Sequence, residues 1–448
     1  MSVLGERFAG SVSLKAAVIG VLVLVMLIPV AMVEGVVYDR QLVHDYARSD
    51  IMQSWGEQQL VVGPLLILPF AERHINRDGE EYTTRREIVL LPDELAFTTH
   101  VEPEIRHRGL HKVPIYRATV DVAGSFPAPD LVRLGLTEAD LLYDEAVVVL
   151  SLQDAQGIAE TPQIRMGALP ATFEPGGPSI VASMPRAIEA PAIGLNVDAS
   201  TNFSMTLSLR GSESLSFAPY ADTTRVEITS DWPDPGFFGH YLPDTREVAD
   251  DGFSARWTIS GLGREVPSQY VTRSDVSLKP SDSAFGVNFY MPVSMYQVTL
   301  RATSYAVLII GLTFVAYFLI EVMAELRLHP LQYILVGFAN ALFYLLLISF
   351  AEHVGFGPAY LISAAASTSL IAGYSSAVLG ARLRGAIVAA VLTGIYGLLY
   401  MTLNAETFAL LGGAIGLWAT LAFIMYFTRR IDWYKQGSAN ARAQTEQG

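Results

Sequence analysis

The sequence predicts a mixed-class, six-helix transmembrane protein, with one N-terminal span, a large β-rich, sandwich-like periplasmic domain inserted after it, and a five-helix C-terminal bundle. Three observations carry this expectation. Six apolar runs are long enough to cross a bilayer, charge is segregated along the chain, and the middle is written in short β-branched and aromatic runs. Of the 448 residues 51% are hydrophobic, and that average covers two populations. Residues 34–304 read as a soluble domain, whereas residues 305–427 hold almost no charge.

A helix needs about 20 apolar residues to cross the hydrocarbon core. Ala16 to Val33 supplies the first run, Tyr305 to Met323 the second and Leu331 to Phe350 the third. Tyr360 to Leu379, Ala386 to Leu403 and Thr407 to Phe427 follow. A cleaved signal peptide is the alternative for the first, but Ala31-Met32-Val33 is a weak cleavage site, so an anchor is expected. Arg7 and Lys15 precede the first run, Arg327 and His329 separate the second and third, and Arg382 and Arg384 the fourth and fifth. Arg429, Arg430 and Lys435 follow the sixth, while residues 351–358 and 404–406 contain no Lys or Arg. Basic residues stay on the cytoplasmic side. Residues 1–15 and 428–448 are therefore expected inside, and the domain outside.

Residues 36–57 contain no Pro and read as a helix prolonging the first span. Beyond them come strand-like runs separated by turn residues: Leu60 to Pro69, Tyr82 to Leu91, Ile115 to Ala123, Ala146 to Leu152, Phe203 to Leu209, Thr224 to Ile228 and Phe253 to Ile259. Asn76-Arg77-Asp78-Gly79 reads as a hairpin turn, and Asp130 to Leu142 as a short helix. Such spacing predicts one or two antiparallel sandwiches.

Composition excludes several functions. Residues 34–301 carry 37 of the 44 acidic and 21 of the 30 basic residues, a net of −16. A domain this acidic is a poor nucleic-acid ligand, since phosphate contacts need clustered Lys and Arg. The absence of cysteine excludes disulfides, thiol catalysis and Cys-ligated metals. No phosphate loop, dinucleotide fingerprint, zincin motif or nucleophile elbow occurs. Neither a cofactor, a metal site nor a catalytic set is proposed by the residues.

Ionisable groups near a bilayer are expensive, which singles out a few positions. Glu321 and Glu325 are four residues apart near the inner end of the second run, hence on one helical face, with Arg327 and His329 close by. They read either as an ion or proton site or as interfacial carboxylates paired with Arg327. His329-Pro330 opens the third run as a helix start, Pro suiting the first helical position and His329 and Gln332 serving as caps. Asn340, in mid-span, is expected to bond to a neighbouring helix. Glu352 and His353 sit at the far end of the third run. They read as a titratable or cation-attracting pair or as plain interfacial residues, since two ligands do not make a metal site. Small residues from Ser363 to Gly373, and Gly412-x-x-x-Gly416, suggest close helix packing, with a water-lined path as the alternative. Outside, Arg106, His107, Arg108, His111 and Lys112 form a basic cluster suited to an anionic glycan or phosphate, or to a solvated turn. Trp232, in Trp232-Pro233-Asp234-Pro235-Gly236-Phe237-Phe238, belongs to an aromatic loop expected to be buried rather than to form a recognition surface.

An ordered set of blocks resembles the CreD family of cell-envelope integrity inner-membrane proteins. It includes Val62-Gly63-Pro64-Leu65-Leu66, Leu91-Pro92-Asp93-Glu94-Leu95, Arg106-His107-Arg108-Gly109 and Ser230-Asp231-Trp232-Pro233. His329-Pro330-Leu331-Gln332-Tyr333, Glu352-His353-Val354-Gly355-Phe356 and the ending from Tyr426 to Tyr434 complete it. Ser294 and Ser304 depart from the family pattern, which tends to place an acid and a Lys there. The resemblance implies the inner membrane and a part in envelope integrity and stress responses, without a catalytic chemistry. The leading expectation is thus a non-enzymatic envelope protein in contact with membrane lipids, whose exterior domain engages an envelope protein or glycan. The alternative is a transporter or flippase using the helical bundle, against which stands the lack of central charges and interrupted helices.

Overall fold

The computed structural model describes residues 12–404 apart from 76–79, 110, 168, 177–185, 273–277, 290–294, 325 and 327, with scattered positions between 414 and 429. The chain forms two units, Asp45–Pro292 and the remainder, Met1–His44 with Val293–Gly448.

Asp45–Pro292 is built on two sheets. The first runs Pro235–Gly239, Phe285–Phe289, Ser214–Phe217, Gln59–Ile75, Val147–Leu152, Ala187–Pro191 and Glu174–Pro175, with Glu81–Leu90 also on Gln59–Ile75 and Gln269–Val271 beyond it. The second runs Thr245–Ala249, Gly252–Ser260, Thr223–Ser230, Glu94–Arg108, His111–Phe126, Thr201–Ser212, Gln163–Met166 and Leu169–Thr172. All seven strand-like runs expected from the sequence fall on strands. The sheets are mixed rather than purely antiparallel, because Gln59 to Val61 lies parallel to Leu215 to Phe217 and Thr223–Ser230 parallel to Glu94 to Val101. Each parallel pair joins segments more than 100 residues apart, the long connection such pairs require.

Leu66, Leu68 and Phe70 from the first sheet meet Leu95, Phe97, Val120, Val122 and Trp257 from the second in one core. Phe97 and Phe217 touch across it with ring centroids 4.7 Å apart. Leu65, Ile67, Val89, Leu91 and Tyr220 form a second cluster on the opposite face. Gln59–Ile75 is therefore covered on both faces, which is why Leu60 to Pro69 reads as a continuous apolar run without alternation. The expected helix at Asp130 to Leu142 is shorter. Asp130 caps Leu131–Leu134, and Gly135, at φ +71°, ends it after one turn, leaving Glu138–Asp140 and Tyr143–Glu145 as 3-10 turns. The expected hairpin turn at 76–79 lies outside the described residues, although its flanking strands pair antiparallel from Leu66↔Leu90 to Ile75↔Glu81.

Asp93, between Glu81–Leu90 and Glu94–Arg108, gives a pH-dependent prediction. Partial burial raises its carboxyl above the usual range, and the charges of Asp222 and Glu94 add to this against Arg264. The folded state thus holds this proton more tightly than the unfolded chain. The stabilisation is complete below the unfolded pKa of about 3.9 and is lost as pH rises through the higher folded value. Asp93→Asn should raise the melting temperature at neutral pH by the equivalent of less than about 1 kcal/mol, the group being only partly buried and therefore screened by solvent. The gain should vanish near the unfolded pKa. An equal gain at both pH values, by thermal unfolding in detergent, would assign the effect to packing instead.

In the other unit, five helices among the described residues are long and apolar enough to cross a membrane: Lys15–Trp55, Ala306–Met323, Pro330–Val354, Phe356–Val378 and Arg382–Asn404. The expected sixth, Thr407 to Phe427, lies almost wholly outside the described residues. The first helix is 41 residues long, with a turn at Met26, and supplies residues to both units. Its end at Trp55 agrees with the predicted extension of 36–57. An amphipathic helix, Met295–Ser304, precedes the second span. Gly337 in the third span sits against Met26. A Cβ there would meet the methionine Sδ at 2.5 Å, so the missing side chain permits close helix contact.

Candidate functional site

Within the bundle, Glu321 is the most constrained ionisable group. It occupies the last turn of Ala306–Met323 and is 3% exposed. Lys15 Nζ donates to its Oε1 at 2.7 Å, and the Leu328 N–H donates to the same oxygen at 2.9 Å. The Tyr333 hydroxyl donates to Oε2 at 2.9 Å. One carboxylate therefore ties the first, second and third spans together and has donors on both oxygens. The partner expected from sequence was Arg327. Arg327 and Glu325 lie outside the described residues, and the observed partner is Lys15, more than 300 positions away and invisible to a local reading. Tyr333 was legible only as part of a motif.

His329 does what its spacing predicts. Its Nδ1 accepts from the Leu331 N–H at 3.3 Å, the Gln332 side chain accepts from the His329 N–H at 2.9 Å, and Pro330 takes the first helical position. This is a reciprocal cap at a helix start. Asn340 also bonds across helices, accepting from the Tyr396 hydroxyl at 3.1 Å.

Glu352 and His353 have different neighbours. Glu352 accepts a long bond of 3.4 Å from the Tyr296 hydroxyl and lies 3.9 Å from Arg40 of the first helix. The His353 ring Nδ1 lies 3.0 Å from the Ser349 carbonyl, on another face of the helix. Adjacent residues on a helix point about 100° apart, so the two rarely converge. Among the described residues no group of three or more His, Asp or Glu is placed to hold a metal ion.

On the β-rich unit the basic cluster has an aromatic centre that the sequence did not advertise. Trp55, at the end of the long helix, carries the guanidinium of Arg106 4.3 Å from its ring centroid, with Arg210 at 5.2 Å and Arg117 at 5.5 Å. Arg117 and Arg210 face each other in register on neighbouring strands, which brings two positive charges together. The indole N–H donates to the Tyr116 carbonyl at 3.3 Å, and the ring packs on the Ile51, Val113 and Ile115 cluster. Arg108 pairs with Asp50, and Arg106 lies 3.6 Å from Glu104. A cavity of about 270 Å³ opens here, lined by Trp55, Glu102, Glu104, Tyr116 and Arg117 among others. Cation–π contacts of this kind contribute roughly 0.5–2 kcal/mol each. They hold the arginines against the indole ring, at the edge of a cavity that Glu102 and Glu104 also line.

Trp232 is half-buried, packed against the core rather than enclosed by it. It meets Phe289 edge-on at 6.2 Å, and its indole N–H donates to the Asp234 carbonyl at 3.1 Å.

One buried group escaped the sequence reading. Asp154 is 2% exposed, and its carboxylate accepts from the Glu57 N–H at 3.0 Å, the Gln156 N–H at 3.1 Å and Arg186 Nη1 at 2.5 Å. Gln59 brackets its backbone, donating to the Asp154 carbonyl at 3.0 Å and accepting from the Asp154 N–H at 3.3 Å. In sequence it stands in an ordinary polar turn.

Comparison with known proteins completes the picture. The sequence profile of the family described as Inner membrane protein CreD matches residues 11–434. Inner membrane protein CreD of Escherichia coli (strain K12) is 31% identical over 438 residues, a stretch covering 95% of this chain and 94% of that protein. The similarity thus runs through both the β-rich unit and the apolar helices, and with it this chain is a multi-pass inner-membrane protein. It belongs to the CreD family.

Proposed function

We propose that the chain is a non-enzymatic component of the cell envelope, contributing to envelope integrity and the response to envelope stress. In this reading the β-rich unit lies in the periplasm, both termini lie in the cytoplasm, and Thr407 to Phe427 forms a sixth span. The exterior unit engages an envelope glycan or protein carrying anionic groups, and the helices anchor that contact. The observation supporting it is the ring of three guanidinium groups on Trp55, a local positive surface in a unit whose overall charge is strongly negative. Charge of that kind raises the local concentration of an anionic partner. The alternation of basic loops supports the orientation. A second reading, a transporter for a lipid-linked or small substrate, draws support from buried polar side chains inside the bundle.

The chain has no cysteine, so single-cysteine variants carry one addressable thiol. Arg108→Cys in intact cells should react with a membrane-impermeant maleimide, and Lys435→Cys only after the membrane is breached. A thiol-linked photocrosslinker at Arg106→Cys or Arg117→Cys should trap one recurrent envelope molecule, and the same reagent at Glu247→Cys should not. Labelling at 435 in intact cells would reverse the orientation. Failure to trap anything from the Trp55 surface would remove the proposed contact.

A further inference from the structure

The third, fourth and fifth spans enclose a set of polar groups that the anchoring role does not use. Asn340 is fully buried; its Oδ1 accepts from Tyr396, while its Nδ2 has no partner among the described residues. The Tyr344 hydroxyl, one turn further along the same helix, has none either, nor do the hydroxyls of Ser363 and Ser367 on the fourth span. All four side chains are at most 2% exposed. They are contiguous. Phe343 touches the rings of Tyr344, Tyr360 and Tyr396 at 4.9, 5.3 and 4.5 Å. The Tyr360 hydroxyl donates to the Tyr396 carbonyl at 2.6 Å, and Ser367 lies beside the Tyr396 hydroxyl without bonding geometry. Ser363 stands between Tyr360 and Ser367 on one helical face.

The two serines differ from their neighbours in an informative way. Thr313, Ser375, Ser376, Thr393 and Thr402 each donate to the carbonyl four residues back, the local solution open to a hydroxyl in a helix. Ser363 and Ser367 do not take it. An orphaned polar group in hydrocarbon costs several kcal/mol, and four clustered together make a dry interior expensive. A bound water needs two to four polar partners, which these atoms supply for about one or two molecules. Asn340, Tyr344, Ser363 and Ser367 include no acid or base, which favours a neutral occupant over an ion.

We propose that Asn340, Tyr344, Ser363 and Ser367 form an internal hydration site within the bundle, occupied by water that completes their hydrogen bonds. Radiolytic hydroxyl-radical footprinting of the full chain in lipid nanodiscs tests this, because bound water generates radicals beside the side chains it touches. Tyr344 and Tyr396 should be modified several-fold faster than Tyr116, a tyrosine equally buried whose hydroxyl donates to the Ser214 carbonyl at 2.7 Å. Ser363→Ala/Ser367→Ala should slow labelling of Tyr344 and Tyr396 and lower the melting temperature, since bonded partners are removed. Equal rates for Tyr344, Tyr396 and Tyr116 in the unaltered protein overturn the proposal. So does a rise in melting temperature of the double variant, the result expected of a dry cluster losing orphaned hydroxyls. If the double variant does not fold, the rates in the unaltered protein decide alone.

Discussion

Glu321→Ala is expected to destabilise the bundle by about 3 kcal/mol, at the low end of the range for breaking a buried ion pair from one side. The low end applies because Lys15 keeps 29% exposure and regains some water. The loss is more than one contact, since the Lys15 ammonium, the Leu328 N–H and the Tyr333 hydroxyl all give up their acceptor. Lys15→Met/Glu321→Leu should recover most of it, because replacing both ions by apolar groups removes the desolvation cost together with the attraction. Unfolding in mixed detergent micles reads both variants, and the pair forms a double-mutant cycle. Strictly additive effects would show that the two side chains do not interact in the folded protein. A conservative Glu321→Gln keeps an acceptor and should fall between. Should it lose the cellular phenotype at full stability, an ion or proton role for this carboxylate would gain direct support.

Asp154→Ala should cost the β-rich unit about 3 kcal/mol. Hydrogen bonds to a charged group contribute about 1.5–3 kcal/mol, and this carboxylate holds two backbone N–H groups and one guanidinium. The Glu57 N–H lies just before the Gln59–Ile75 strand, so its loss loosens the entry into the core of the first sheet. Asp154→Asn retains one acceptor oxygen and should cost less, while Arg186→Met isolates the contribution of the guanidinium. Urea unfolding of the full chain followed by tryptophan emission measures all three. A loss below about 1 kcal/mol for Asp154→Ala would mean that water takes over both N–H groups.

How far the sequence could be read depended on the range of the interaction. Apolar length located the five described spans, because the cost of hydrating such runs is a property of the run itself. Strand positions were legible for the same reason, turn residues bounding short β-branched segments. His329 was readable since a cap involves neighbours three residues apart, and Asn340 since an amide in hydrocarbon must bond across helices. Pairings across long separations were not. Nothing in residues 321–329 points to Lys15, and nothing in the basic cluster at 106–112 points to Trp55, Arg117 or Arg210. The turn holding Asp154 looks like any polar connection until Gln59 and Arg186 close on it. The parallel pairings escaped because a strand's pattern gives its burial without naming its neighbours.

The short strand Ser214–Phe217 lies between Gln59–Ile75 and Phe285–Phe289, so the earliest and latest strands of the β-rich unit share one small go-between. During synthesis the leading strand, apolar on both sides, must wait for more than two hundred residues to be made before the sheet that shields it can close. That interval is a stretch of vulnerability to proteases and to misassociation, and it makes the unit poorly suited to truncation: a chain stopped before Phe285 keeps its membrane anchor yet leaves an open sheet edge in its place.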